Sequence, residues 1–365
     1  MLTLAACASA QRPVPSVPSA RPPAARRVVP GGEFVVVGRP DGQGEVFDDQ
    51  LLFDRATNAV QTHRCAEALT DYDALLAHFP SSRYLQATQY NRGVCLHGMG
   101  RLDDAISAFR AAAERPTERS LVRDALFRLA VIGEATSRTD LVFETMDAVL
   151  ADSAATLPER VEASAREATA HLARREYDLA VTSANATVAL APTADSVNAL
   201  EDDTYAAQAR FVLADVSRQR AAGVAIRVND PELDRAIERR VGLVVHAHVQ
   251  YNEAIRVGNP HWAAACGFSI GEMYRSLYDA IVGAPVPTDW DAHAVEIYRQ
   301  RTARRLRPLL QGALRAWEAT LDMAQRNGIS DNDWARRTSA QIGSLRELVL
   351  GAIPAGGSSA PPTGR

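Results

Sequence analysis

Between about Asp49 and Pro192 the apolar and small residues return at a fixed interval. Ala68, Ala105, Val142 and Ala180 stand 37, 37 and 38 residues apart. Twelve residues before each is another small residue: Ala56, Gly93, Ala130 and Ala168. Four and seven residues after each come Tyr72/Leu75, Phe109/Ala112, Met146/Val149 and Ala184/Thr187. Steps of three and four put one apolar stripe along a helix. The small residue on the helix before it allows close approach. Turn residues such as Met99-Gly100-Arg101 and Arg174-Arg175-Glu176 join the two, and units close on proline at Pro80, Pro116 and Pro192. Such a helix pair cannot bury its own stripe, so it needs neighbours on both sides. A period in the thirties therefore predicts an all-α fold of stacked helix-turn-helix repeats.

The pattern continues with longer elements. A fifth first helix is expected at Thr204–Arg220, with Ala214 as its small residue, after a polar loop at Thr193–Asp202. Its partner begins at Pro231, a favoured first helical residue, and Gly258-Asn259-Pro260 stops it near Val257. A sixth first helix is expected at His261–Val282 with Gly271 as its small residue, followed by the loop Gly283–Asp289. A long helix over Ala292–Arg326 ends at Asn327-Gly328. Asp331-Asn332-Asp333 offers caps for a last helix to about Leu350.

The repeats resemble the tetratricopeptide repeat, most clearly in YNRGVCLHGMGRLDDAISAFRAAAERP (Tyr90–Pro116) and AREATAHLARREYDLAVTSANATVALAP (Ala165–Pro192). The unit around Val142 is degenerate and rests mainly on register. The resemblance implies a right-handed solenoid of TPR-like pairs, with longer helices in the C-terminal half.

Composition narrows the chemistry. At 365 residues and 47% hydrophobic content the chain is globular. A formal charge of −4 gives no global attraction to nucleic acid. All 40 basic residues are arginine, which excludes Schiff-base and Walker-type lysine chemistry. No stretch reaches the roughly 18 apolar residues of a spanning helix. GRPDGQG (Gly38–Gly44) has neither the lysine of a phosphate loop nor dinucleotide-site spacing. There is no G-x-S-x-G, H-E-x-x-H or C-x-x-C. No catalytic residue, cofactor or small-molecule substrate is evident.

The first residues read MLTLAACASAQ, in which Leu4-Ala5-Ala6-Cys7 fits a bacterial lipobox. Small residues there precede a cysteine that is lipidated and becomes the mature N-terminus. The basic region and apolar core of a signal peptide are missing, so the true start is expected upstream of Met1. Residues 1–7 are then a signal remnant and 8–48 a Pro/Ala/Gly-rich linker, within which Glu33–Val37 could form a short strand. Four repeats occupy 49–192, a C-terminal helical repeat region 193–350, and a disordered tail 351–365.

The strings DTYAAQARFVLADV, QYNEAIRVGNPHWAAACGFSIGEMYRSLYDAIVGAPVP and RPLLQGALRAWEATLDMAQRNGI carry a narrower resemblance. They are similar to the C-terminal half of a myxobacterial and deltaproteobacterial family of tetratricopeptide-repeat lipoproteins. That family includes an envelope component of the adventurous gliding-motility machinery. The similarity covers about Phe47–Leu350 and is most specific at Ala254–Pro287. It implies an outer-membrane lipoprotein facing the periplasm, a scaffold for envelope proteins without catalysis. A soluble cytoplasmic adaptor with an accidental lipobox is the alternative. A peptidoglycan-binding module, its pocket formed by Gly283–Asp289, is another.

One series of residues crosses the repeats. Three positions before the small residues stand Phe53, Tyr90, Phe127, Ala165, Phe211 and Phe268, five of the six aromatic where aromatics are 6% of the chain. On an open face they would form a ladder gripping a partner segment; otherwise they fill space between helices. Asn91, beside Tyr90, occupies a position where asparagine can hold a ligand backbone. Cys65 and Cys95 fall on neighbouring helices, where a disulfide is possible but buried thiols are the favoured expectation. His63, Cys65, Cys95 and His97 lack zinc-site spacing, and no metal site is expected. Arg299, Arg301, Arg304, Arg305 and Arg307 read as a solvated face, with acidic headgroups or an acidic partner as the functional alternative.

Overall fold

The computed structural model describes residues 35–38, 44–115, 117–191 and 203–351. Cys7, most of the linker, Pro116, Pro192, the loop over 193–202 and the tail beyond 351 lie outside the described residues. Thirteen α-helices follow a short hairpin among them. Two compact units divide the chain between Glu159 and Arg160.

The first unit opens with β1 (Val35–Gly38) and β2 (Gly44–Phe47), antiparallel with Val35 opposite Phe47. The strand expected near Glu33–Val37 is present, and Gly44–Phe47, read as linker, pairs with it. Phe47 explains the order here: its ring is buried, with the Arg55 guanidinium 4.0 Å above it. Three helix pairs follow: α1 (Asp49–Gln61) and α2 (Cys65–His78), α3 (Leu85–Gly98) and α4 (Leu102–Ala113), α5 (Arg119–Ala135) and α6 (Thr139–Ala151). Asp48 caps α1 by accepting the Leu51 N–H at 2.8 Å. Each even-numbered helix packs on its own partner, α2 and α4 also pack on the next odd-numbered helix, and α1, α3 and α5 touch in sequence.

The small residues set these contacts. Ala56 and Ala130 are fully buried. A β-carbon on Gly93 would lie 2.8 Å from the Phe109 ring, so only glycine admits α4 at this distance. The pairs share one turn geometry. His63, Gly100, Ser137 and Arg175 all have positive φ, 58–75°. The next residue in each case donates its N–H five residues back: Arg64 to Ala59, Arg101 to Leu96, Arg138 to Gly133 and Glu176 to His171, at 2.8–3.0 Å. This is the bond of a Schellman turn, which closes a helix through one left-handed residue. Buried Gln86 ties the link between pairs, donating to the Ala112 and Glu118 carbonyls at 3.3 and 3.1 Å and accepting the Glu118 N–H at 2.8 Å.

The second unit comprises most of α7 (Leu157–Ala173), then α8 (Tyr177–Leu190), α9 (Thr204–Ala222), α10 (Leu233–Arg256), α11 (Pro260–Val282), α12 (Ala292–Arg326) and α13 (Asp333–Gly351). The sequence division at 192 is therefore not where the compact units separate. Ala168, Leu172, Ala180 and Ala184 of α7 and α8 share one core with Ala209, Val212 and Val216 of α9, which draws the fourth pair into the C-terminal unit. The α7 start is a capping box: Thr156 N–H donates to the Glu159 carboxylate at 2.7 Å while the Glu159 N–H faces the Thr156 hydroxyl. Asn259 caps α11 with Pro260 at its first turn. The long α12 runs through Pro308, which cannot donate to the Arg304 carbonyl. On α11, Gly267 and Gly271 admit Thr320 and Trp317 of α12, and the Trp317 indole N–H donates to the Phe268 carbonyl at 3.0 Å.

Candidate functional site

The aromatic series does not form an open ladder. Phe53, Tyr90, Phe127 and Phe211 are only 7, 3, 2 and 9% exposed, while Phe268 is half-buried. Phe53 stacks on Tyr84 at 4.7 Å, and Tyr90 meets Phe109 edge-on at 5.6 Å. In the second unit Phe211 and Phe268 both contact Trp334, and Phe211 also lies 5.1 Å from Trp262. The recurrent position thus faces the second helix of its own pair and the next pair, and its rings fill the space between them. Asn91 is half-buried and engages the Tyr72 hydroxyl rather than pointing free. Trp262, Trp317 and Trp334, which complete these ring contacts in the second unit, fall outside the repeat register and so leave no periodic signal in the sequence.

Cys65 and Cys95 are joined as a disulfide, their Cα atoms 5.2 Å apart, which corrects the expectation of free thiols. The helix α2, which starts at Cys65, packs against α3, whose last turn carries Cys95, and this brings the sulfurs together. Cys266 is a free, buried thiol whose pKa burial raises. No group of three metal-ligating side chains occurs among the described residues. None of the described helices is long and apolar enough to cross a membrane.

In the second unit, two groups of buried charge involve Arg166 and Asp215. Glu162 and Arg166 of α7 pair at 2.9 Å, both about 95% buried, with the Tyr205 hydroxyl 3.3 Å from the guanidinium. On α9 the Asp215 carboxylate accepts from Arg218 at 2.6 and 2.9 Å, from Gln219 at 2.8 Å and from Tyr251 of α10 at 2.7 Å. Burial works to raise the Asp215 pKa. The Arg218 charge and these hydrogen bonds outweigh it and hold the carboxyl below its ordinary value. In the arginine run, Arg299, Arg301, Arg304 and Arg305 are exposed. Arg307 is half-buried, and its Nε is enclosed without a hydrogen-bond partner. His246 is exposed, whereas His248 is half-buried and bonds the Tyr274 hydroxyl at 3.1 Å.

The second unit carries an apolar groove of about 660 Å³. Its floor is α11, at Ala263, Ile270 and Tyr274; its walls are α10, at His248 and Ile255, and α12, from Pro308 to Met323. Arg315 is the one charged residue lining it, and no carboxylate does. Burial lowers the His248 pKa, so its imidazole is neutral at pH 7. A polar groove near Arg240, Glu272, Arg275 and Gln341 has its own internal bonds, including Arg275 to Gln341 at 2.9 Å. The loop Gly283–Asp289 is held down, with the Pro285 carbonyl accepting from Val228 at 3.0 Å and Ala284 buried.

The tetratricopeptide-repeat family model matches residues 53–119 and 96–141, from within α1 to the first residues of α6. The helices of that stretch are similar to tetratricopeptide repeats, a class that generally presents surfaces to protein partners. Among solved structures, the chain is similar to a tetratricopeptide-repeat protein from Parabacteroides merdae (15% identity, 83% of this chain and 98% of that one, TM-score 0.40). It is also similar to the apo form of RapI (7%, 83% and 99%, TM-score 0.44). A repeat protein from Bacteroides fragilis matches at 13% identity over 84% and 99% of the two chains, TM-score 0.28. None of the curated proteins matches the sequence.

Proposed function

We propose that this chain is a non-catalytic interaction scaffold of the bacterial cell envelope, a lipoprotein tethered through Cys7 to the outer membrane and facing the periplasm. It holds a protein partner in a motility or envelope-assembly complex of the kind served by the gliding-motility lipoproteins it resembles. The observation that carries the reading is the Cys65–Cys95 disulfide between the first two repeats. Such bonds persist in oxidising compartments and are rare where thiols are kept reduced. The lipobox at Leu4–Cys7, the tether-like composition after it and the repeats at 53–141 support the same reading.

Metabolic labelling with a clickable fatty acid, followed by fractionation of cells expressing the native locus, tests the proposal. The wild-type chain should be labelled and sediment with envelopes, and the Cys7→Ser variant should be unlabelled and soluble. A wild-type chain recovered unlabelled from the cytoplasm would make it a soluble adaptor instead.

A further inference from the structure

We propose that the groove between α10 and α12 is a docking site for an amphipathic helix of a partner protein that carries an apolar stripe and an acidic flank. The inference rests on the scaffold reading and gives the chemistry of one partner.

Shape argues for a helix. On one wall the groove runs from His248 to Ile255, about two helical turns, and on the other from Pro308 to Met323, about four turns or roughly 22 Å. Gly312, Ala316, Ala319 and Met323 on α12 recur at steps of four, three and four, a spacing that receives the side-chain rows of another helix. Both walls and the floor are helices, and apart from the Arg304 carbonyl that Pro308 leaves without its donor, their backbone groups are bonded internally. An extended peptide would find no row of backbone partners there, whereas a helix brings its own hydrogen bonds.

The apolar surface extends beyond the groove. Val241, Val245 and Val249 are 37, 58 and 50% exposed and lie one above another on α10. By helical spacing the stripe adjoins Asn252, which lines the groove. Exposed valines in register, next to an apolar groove, are a surface that water leaves readily.

Charge selects the partner. Arg315 makes no ion pair or hydrogen bond among the described residues, and no carboxylate lines the groove to neutralise it. Arg305 and Arg301 are exposed about three and four turns earlier on the same side of α12 and are likewise without ion pairs among the described residues. One unpaired guanidinium in the groove, with two more beyond its Pro308 end, fits a helix with one apolar and one acidic face, since guanidinium binds carboxylate through paired hydrogen bonds.

The test is selection of a phage-displayed helical peptide library on the full chain. Enriched sequences are then measured as labelled synthetic peptides by fluorescence anisotropy. Ala319→Trp fills the groove and Arg315→Glu reverses its charge; both positions are exposed, and circular dichroism verifies their folding. Enriched peptides should carry an i, i+4 apolar stripe with an acidic flank and bind Ala319→Trp at least about tenfold more weakly. Arg315→Glu should shift the preference toward basic flanks. The proposal is overturned if nothing is enriched, if binding ignores Ala319→Trp, or if the acidic flank is dispensable. Self-association of the wild type that Ala319→Trp abolishes would assign the groove to a second copy and also overturn it. Failure of the envelope localisation would leave this in vitro result unchanged, so the two readings fail separately.

Discussion

The Tyr251 hydroxyl of α10 donates to the Asp215 carboxylate of α9 at 2.7 Å, in a site sealed from water. The carboxylate also accepts from Arg218 and Gln219, so one acidic side chain fastens two long helices. Removing the acid leaves the quarter-exposed Arg218 without its partner, and that exposure reduces the cost of breaking a buried pair to about 2–3 kcal/mol. Asp215→Ala should lose that order of stability in urea unfolding, and Tyr251→Phe about 1–2 kcal/mol.

The same carboxylate sets an acid limb. Its folded pKa lies below the unfolded value of about 3.9. The stabilisation is therefore present above about pH 4 and is lost as pH falls through the folded pKa. Chemical unfolding between neutral and acid pH should show a shallower loss of stability on acidification for Asp215→Asn than for wild type. An unchanged slope would remove Asp215 from the acid response.

The disulfide closes a loop with a sequence separation of 30. Loop entropy of that size corresponds to roughly 3–4 kcal/mol. Cys65→Ala/Cys95→Ala should therefore lower the unfolding midpoint of the oxidised protein. A reductant should lower the wild type equally and leave the double variant unmoved.

The left-handed turn residues make a third test. A non-glycine residue in this conformation costs about 1–2 kcal/mol, more than the roughly 0.5–1 kcal/mol that the extra unfolded freedom of glycine costs. Exposed Ser137, at φ 58°, should thus tolerate Ser137→Gly with a gain of roughly 0.5–1 kcal/mol. Gly100→Ala, at φ 75°, should lose a similar amount. Equal midpoints for all three proteins would contradict the turn assignment.

Close approach on α11 predicts a size limit. A β-carbon on Gly271 would lie 2.1 Å from the Trp317 indole nitrogen, which is bonded to the Phe268 carbonyl. Gly271→Ala must displace the ring and break that bond, at roughly 2–4 kcal/mol. Tryptophan emission should shift to the red as Trp317 gains water.

Much of this architecture is written in spacing. The small residues Ala56, Gly93, Ala130, Ala168, Ala214 and Gly271 all fall at buried helix crossings, and Ala292–Arg326 emerges as a single helix with the expected ends. Spacing says which face of a helix recurs, not whether a neighbour covers it. Phe53, Tyr90 and Phe127 therefore read equally well as groove and as core until α2, α4 and the next pair were placed around them. The four left-handed turns share one period, but only Gly100 marks its turn by residue type; His63, Ser137 and Arg175 take the strain because the flanking helices fix the backbone. The Asp215 network joins residues 36 positions apart and leaves no local trace. The groove at Arg315 is equally invisible, since its lining comes from three separate helices and its lack of a carboxylate shows only once they are packed together.

In-cell crosslinking with recovery of the native chain from detergent-solubilised envelopes tests the scaffold most directly. The account predicts a discrete envelope protein captured in fixed proportion, and loss of that capture when Cys7→Ser releases the chain from the membrane. Recovery of the uncrosslinked chain alone, or capture of cytoplasmic proteins only, would contradict it.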